Sequence, residues 1–423
     1  MKLQRTIDRL QKLHPKEIDL SLGRVKNLCK KLGDPQNKLD CISFIGTNGK
    51  YSTIQSVRAI LNEAKYKLNI YTSPHIQRLN ERFIYNNEEI DDNKLNNLLS
   101  EVEEINNGET ITYFEFLTAS FFYGAIKYNK NINLVESGLF HRFDATNILT
   151  KNLASVITPI GLDHTDWLPE NEKTLDKIIF EKTSTLLKSI IVISKQVNHE
   201  TYQKIEKNLL YNSSQKIFFG KDYSFSLNEN GFIFYEDKFG GLKLPTPNLN
   251  GEFQLTNIAS AIALLRNIEK IKVTDENVKN GIKNIYSIAR LQEIKSGNLK
   301  SIIKRNRLFL DGSHNSLGAQ VLSQFLKKFN SDKHLIVGMM SNKQHLDYFQ
   351  YFRDKEISIT LVDIPNHPNS IKGTELRKKL KGFDRICYQP SINDALKNLK
   401  LKKNDIVIIT GSLYLAGEIL NLN

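Results

Sequence analysis

The clearest chemistry in the chain lies in Gly46-Thr47-Asn48-Gly49-Lys50-Tyr51-Ser52-Thr53. Two glycines allow a tight turn, a lysine adds a point charge, and hydroxyls follow where a helix would begin. That combination suits a triphosphate, because backbone N–H groups and a helix N-terminus face the anion. The general phosphate-loop pattern requires a glycine where Phe44 stands, so only a tighter Gly-x-x-Gly-Lys form is satisfied. A plain glycine turn with a solvated lysine is the competing reading. Three further groups fall where strands should end: the hydroxyl of Ser73, the carboxylate of Glu136 and the imidazole of His164. Converging beside a phosphate loop, they would hold a divalent cation. Taken singly, the histidine reads as a structural residue and the glutamate as a helix cap.

These groups need strands that end at one edge and helices that lead away. Apolar runs predict strands over 41–45, 68–71, 133–136, 154–158 and 189–193, and ligands collect at the carboxyl edge of such sheets. Helices are expected over 52–65, 91–104, 112–128, 254–269 and 275–285, with Thr174 capping one that carries Glu181 and Lys182. Residues 1–39 read as two helices broken at His14-Pro15, with Leu10, Leu13, Ile18, Leu22, Val25, Leu28 and Leu32 at helical spacing. Between about 215 and 245 the period changes: Phe225, Leu227, Phe232 and Phe234 alternate around Asn228-Glu-Asn-Gly231, which predicts a hairpin. Beyond Ser287, strands over 308–311, 334–337, 357–362, 385–387 and 406–410 alternate with helices. The expected fold is therefore α/β. A P-loop-type, mostly parallel doubly wound sheet with a small antiparallel addition fills 1–286, and a smaller Rossmann-like α/β domain fills 287–423.

Composition narrows the partners. With 59 basic and 46 acidic residues the net charge is +13, yet the lysines are dispersed and no basic stripe is interleaved with aromatics. A solvated lysine-rich surface, attractive to polyanionic small substrates, is favoured over nucleic-acid binding. Cys29, Cys41 and Cys387 show no metal spacing and suit a reducing compartment. No apolar run is long enough for a membrane helix, and the N-terminus lacks a signal-peptide core, so a cytoplasmic protein without membrane partners is expected.

At the level of motifs the chain resembles the folylpolyglutamate synthase/dihydrofolate synthase family of the Mur ligase superfamily. The resemblance rests on Gly46-Thr-Asn-Gly-Lys50, Thr72-Ser-Pro-His75 with Asn80-Glu-Arg82, Thr112-Tyr-Phe-Glu115 and Asp144-Ala-Thr-Asn147. It continues through Gly161-Leu-Asp-His-Thr-Asp166, Glu181-Lys182, Gln254-Leu-Thr-Asn257, Ala289-Arg-Leu291, Asp311-Gly-Ser-His-Asn315 and Gly411-Ser-Leu-Tyr414. It implies an ATP-binding domain over 1–286, a glutamate-binding domain over 287–423, and a monomer. The implied reaction joins glutamate to the carboxylate of dihydropteroate or of a reduced folate, with cleavage of ATP and two magnesium ions. Lys50, Lys182 and His164 would be catalytic. Gly46, Thr47, Asn48, Gly49, Lys50, Ser52, Asn257, Arg290 and Asp311 would bind ATP. Ser73, Glu136, His164 and a carbamylated Lys182 would bind magnesium. Phe114, Asp144 and Ala145 would meet the pterin, and His314 and Ser412 the incoming glutamate.

The chain departs from the family at four places. Tyr51 follows the lysine where the family has glycine. Phe140 and His141 replace two glycines of the pterin loop, offering a stacking surface for a pterin. Thr183-Ser184 replaces a small-residue pair after Lys182. Lost glycines would be costly if those positions needed positive φ. Without the family, Lys182 reads as an ion pair with Glu181. Two other functions compete: a diverged nucleotide-binding homologue with little ligase activity, and a Mur-type cell-wall peptide ligase.

Overall fold

The apolar run after Asp40 forms the middle of a sheet, and the chain winds outward from it in both directions. The computed structural model describes residues 2–16, 19–228 and 231–423. Contacts divide the chain into two units. The first comprises the chain through Ile160, Glu170–Pro247 and Leu255–Ile285. The second comprises Tyr286–Asn423 together with Gly161–Pro169 and Asn248–Gln254, so two short earlier segments pack with the later part of the chain.

The first unit holds strands β1 (Asp40–Ile45), β2 (Leu68–Tyr71), β3 (Phe83–Tyr85), β4 (Glu88–Glu89), β5 (Ile132–Glu136), β6 (Ala154–Ile157), β7 (Ile190–Ile193) and β8 (Gln215–Phe218). Their order is β4-β3-β2-β5-β1-β6-β7-β8. From β2 to β8 all pairings are parallel, and β3 and β4 add an antiparallel edge. Because β2 and β5 lie on one side of β1 and β6 on the other, the crossover direction reverses at β1. A doubly wound sheet opens its ligand crevice at such a point. Register sets Glu136 opposite Phe44 and Val135 opposite Tyr71, so the ends of β1, β2 and β5 come level.

Helices cover this sheet for the expected reasons. Thr174 accepts the Lys177 N–H and caps the helix Leu175–Thr183. Thr112 and Glu115 form a reciprocal capping box on the aromatic helix Tyr113–Ala125. That helix buries Phe116, Phe121 and Phe122 with Tyr71 in one core. At the N-terminus, helices Lys2–Leu10 and Gly23–Lys31 flank the break near His14-Pro15, and Ile18 lies outside the described residues.

The period change near 215 resolves into two things. β8 joins the large sheet in parallel, and β9 (Tyr223–Leu227), β10 (Ile233–Asp237) and β11 (Gly240–Leu244) form a three-stranded antiparallel meander. The expected hairpin is β9–β10, with residues 229–230 of its turn outside the described residues. The third strand escaped notice because Gly240-Gly241 reads as a turn. Leu227, Phe232 and Phe234 are exposed, and the buried face carries Tyr223, Ile233, Tyr235, Leu242 and Leu244 instead.

The second unit contains β12 (Gln292–Ile294), β13 (Arg307–Leu310), β14 (Lys333–Val337), β15 (Ile357–Leu361), β16 (Ile386–Tyr388) and β17 (Ile406–Thr410) in the order β12-β13-β17-β14-β15-β16. Only β12 is antiparallel. β17 is central and buried along its whole length, as its unbroken apolar sequence requires.

Candidate active site

The loop after β1 is shaped by glycines where nothing else fits. A Cβ on Gly46 (φ +148°) would sit 2.1 Å from Thr158 Oγ1, and one on Gly49 (φ +90°) would sit 2.7 Å from Asn257 Oδ1. The Thr47 and Asn48 N–H groups donate to Pro159 O at 2.9 and 3.2 Å. Those two amides therefore hold the loop rather than reach out of it, contrary to a simple cradle. What the loop offers an anion is Lys50 and the N-terminus of the 14-residue helix Lys50–Glu63. Ser52 is buried in the first turn of that helix. Thr53 Oγ1 donates to Gly49 O at 2.9 Å and lies 3.4 Å from Asn257 Oδ1, which brings Asn257 against the loop from the helix Phe253–Asn267.

Two lysines meet at one carbonyl. Lys50 Nζ donates to Gly46 O (3.2 Å) and Thr47 O (3.3 Å) and lies 3.9 Å from Glu136 Oε1. Lys182 Nζ donates to Gly46 O at 3.0 Å and to Leu139 O at 2.8 Å. Lys182 is only 1% exposed, so it is not the surface partner of Glu181. Glu181 instead takes a two-pronged bond from Arg142 (2.8 and 2.6 Å), with Lys177 at 3.4 Å. Glu136, 4% exposed at the end of β5, accepts the Ser73 N–H at 3.1 Å. The Ser73 Oγ is buried and has no hydrogen-bond partner among the described residues. A buried hydroxyl without a partner beside a buried carboxylate is what a hard cation requires.

The loop from Ser137 to Thr146 is organised by Asp144. Its carboxylate accepts from Gly138 N, Leu139 N, Thr146 N and Thr146 Oγ1. Burial raises its pKa, and those bonds counter the rise. Asp144 therefore builds the loop first, and Ala145 beside it is buried in the core. Phe114 packs on Gly138, where a Cβ would lie 2.8 Å from the ring, and stacks on Tyr71 at 6.1 Å and 28°.

Two expectations for this region change. The Phe140 ring is 1% exposed, with Lys182 Nζ 5.7 Å from its centroid, so it does not present a stacking surface. His141 is buried too. Desolvation, helped by the Lys182 charge, lowers its pKa to about 3 and keeps the imidazole neutral. Neither they nor Tyr51 adopt positive φ, so the feared glycine strain is absent. Tyr51 is the second residue of the helix Lys50–Glu63. Thr183 is buried and donates its hydroxyl to Ile179 O at 2.7 Å, while Ser184 ends its helix.

The second unit assembles its own cluster. His164 (φ +57°) and His314 place Nε2 3.9 and 3.6 Å from Asp163 Oδ2. Asn315 Nδ2 and Lys343 Nζ donate to the same carboxylate at 2.8 and 3.0 Å. Although burial alone would raise it, these neighbours hold Asp163 well below the usual carboxylate range. Asp163 as a hub, and Lys343 with it, were missed from sequence. Asp163 stood inside a quoted motif, whereas Lys343 carried no signal. Asp311 accepts from Leu291 N (2.9 Å) and Ser313 N (3.0 Å), which fixes the turn bearing Arg290. Arg290 Nη1 donates to Ala289 O at 3.1 Å. His314 Nδ1 donates to Gly312 O at 2.9 Å, and Ser412 caps the helix Leu413–Leu422 by accepting Tyr414 N. The first unit thus gathers Lys50, Ser73, Glu136, Lys182 and Asn257 around Gly46. His164 belongs, by its contacts, to the Asp163 cluster of the second unit.

With that geometry established, comparisons with known proteins are informative. Residues 298–422 match the family model described as dihydrofolate synthetase, C-terminal domain. A dihydrofolate synthase/folylpolyglutamate synthase of Bacillus subtilis is 28% identical, over 94% of each chain. The Escherichia coli protein of the same name is 26% identical, over 98% of this chain and 93% of its own. Among solved structures, a bifunctional folylpolyglutamate synthase/dihydrofolate synthase from Yersinia pestis, complexed with AMPPNP and manganese, superposes with a TM-score of 0.86. It is 25% identical, with 99% and 97% of the two chains covered. The Escherichia coli FolC protein in complex with DHPP and ADP shares the fold at a TM-score of 0.86, 24% identity and the same coverage.

Proposed function

We propose that the chain is a member of the dihydrofolate synthase/folylpolyglutamate synthase family, which its relatives and the match over 298–422 support, and that it is an ATP-dependent ligase that adds L-glutamate to a pterin or folate carboxylate. The observation that carries this reading is the convergence of Lys50 and Lys182 on the Gly46 carbonyl beside the Ser73–Glu136 pair. A carboxylate is a poor electrophile. Transfer of the γ-phosphoryl of ATP gives an acyl phosphate, and the glutamate amine then displaces phosphate to form the amide. Both reactants are anionic, so Lys50 offsets their repulsion. A magnesium ion held by Ser73 and Glu136 would supply further positive charge there. A second ion would need Lys182 as a carbamate, which turns a donor into an oxygen ligand and takes Nζ off Gly46 O and Leu139 O.

Asn257, Arg290 and Asp311 are assigned to the nucleotide, Phe114, Asp144 and Ala145 to the pterin, and His164 to the metal. His314 and Ser412 are assigned to the incoming glutamate. Because the Asp144 carboxylate is committed to four loop donors, its part in pterin binding is to hold the loop in shape. The enzyme would work as a monomer in the cytoplasm on dihydropteroate or a reduced folate. No helix among the described residues is long and apolar enough to cross a membrane.

The test is ADP release with dihydropteroate and tetrahydrofolate in parallel, each with and without glutamate. Glutamate- and magnesium-dependent ADP release with either acceptor is the expected result. ATP binding without product from any acceptor would instead mark a diverged nucleotide-binding homologue. Turnover only of a nucleotide-linked peptide would mark a cell-wall ligase.

A further inference from the structure

We propose that Arg82, held in place by His75, binds the carboxylate of the acceptor substrate; this rests on the ligase reading above. The strand register brings the residue to the site. Tyr71 of β2 stands opposite Phe83 of β3, so Arg82 arrives level with Thr72, next in sequence to Ser73. Thr72 Oγ1 donates to Glu81 O at 3.4 Å across that pairing.

The segment that delivers Arg82 is tied down along its length. The Glu81 carboxylate accepts the N–H groups of Ile76 (2.7 Å), Gln77 (2.8 Å) and Arg78 (2.8 Å). Asn80 Nδ2 donates to Ile90 O and to Asp92 Oδ1, both at 2.9 Å. On this frame Arg82 Nε donates to His75 Nδ1 at 3.0 Å. The ring therefore takes one of the five guanidinium hydrogens and leaves the two-nitrogen end of the fork. Among the described residues no carboxylate pairs with it, although the side chain is half-buried. A planar fork kept from its counter-ion matches the bidentate geometry of a carboxylate better than any lysine does.

Its surroundings fit an aromatic acid. Burial pushes up the phenols of Tyr71 and Tyr113, and the Arg82 charge counters part of both rises. Tyr71 is the ring on which Phe114 stacks. By register Arg82 follows the Tyr71–Phe83 pair and stands level with Thr72, next to Ser73 at the end of β2. Lys50 and Lys182 are turned onto loop carbonyls, and Glu136 would repel an approaching carboxylate. Arg82 supplies attraction for the acceptor carboxylate in addition to the charge that Lys50 offsets.

The experiment compares wild type, R82M, R82K, H75A and H75N by steady-state kinetics and by fluorescence titration with pteroate. Melting temperatures confirm that each variant folds. R82M is expected to raise the acceptor KM and the pteroate Kd by about tenfold or more, with the ATP KM within about twofold, since charged hydrogen bonds are lost. R82K should recover part of the loss, having charge without the fork. H75A should raise the acceptor KM, and H75N, whose carboxamide oxygen accepts the same Nε–H, should restore it. If R82M and R82K bind pteroate as wild type does, or wild type binds none, the inference is overturned. A wild type that yields no product but loses pteroate affinity on R82M would refute the ligase reading alone.

Discussion

Replacing Gly46 with alanine tests whether the loop geometry serves both stability and phosphate handling. The new Cβ would lie 2.1 Å from Thr158 Oγ1, 2.9 Å from Thr158 O and 3.0 Å from its carbonyl carbon. Thr158 cannot withdraw, because its N–H and its hydroxyl both donate to Ile45 O, at 2.8 and 3.1 Å. The backbone itself sits at φ +148°, where an L side chain adds roughly 1–2 kcal/mol. Forcing a methyl into a packed site costs about 1–3 kcal/mol more, so G46A should lose about 2–5 kcal/mol in all. At about 2 °C per kcal/mol for a domain of this size, the melting temperature should fall by roughly 4–10 °C. Gly220 provides the control. It has φ +82°, and among the described residues no atom comes within 4 Å of where a Cβ would stand, so G220A should show the conformational cost of about 1 kcal/mol without the clash. Function adds a second readout, since the Gly46 carbonyl holds both lysines. ADP-release assays should find kcat/KM for ATP reduced about tenfold or more in G46A, corresponding to about 1.4 kcal/mol of transition-state binding, and unchanged in G220A. If differential scanning fluorimetry placed G46A within about 1 °C of G220A, with ATP kinetics intact, the reasoning would be refuted.

Ser73→Ala should weaken magnesium dependence without weakening the fold. Its Oγ is buried without a partner among the described residues, so removing it should leave the melting temperature unchanged or higher, while the magnesium concentration for half-maximal activity rises about tenfold. A clear loss of stability with unchanged magnesium titration would argue against a metal role. His141 predicts a pH effect on stability. Its folded pKa of about 3 lies below the ordinary value of 6.5, so as pH falls through that window only the unfolded chain takes up the proton. Stability is therefore kept above pH 6.5 and lost toward pH 3, at up to about 1.4 kcal/mol per pH unit from this group. Urea denaturation at pH 7, 6 and 5 should show a shallower pH slope for His141→Gln than for wild type; equal slopes would contradict the neutral, buried imidazole.

Some of this was open to a reader of the sequence for specific reasons. Unbroken apolar runs such as Ile406–Thr410 admit little besides a buried parallel strand. The strand–helix alternation dictates winding on both faces of a sheet. Thr174 and Thr112 announced helix starts through side chains that bond their own backbone. The motifs likewise pointed to residues that the first unit gathers at Gly46. What periodicity could not convey is which face of the β9–β11 meander is buried, since aromatic residues occur on both and only the packing partner decides.

The sequence by itself determined the α/β class, the order of strands and helices, and the chemical inventory of lysines, hydroxyl, carboxylate and imidazoles. These follow from local propensity and from side-chain chemistry, which travel with the residue. Only the tertiary structure decided how that inventory is spent. It turned Thr47 and Asn48 N–H onto Pro159, buried Phe140 and His141 against Lys182, and committed Asp144 to its own loop. It tied His164 to Asp163 and left Arg82 with a neutral histidine for a partner. Hydrogen-bond saturation, burial and the pairing of charges depend on residues distant in sequence, and so they exist only once the chain has folded.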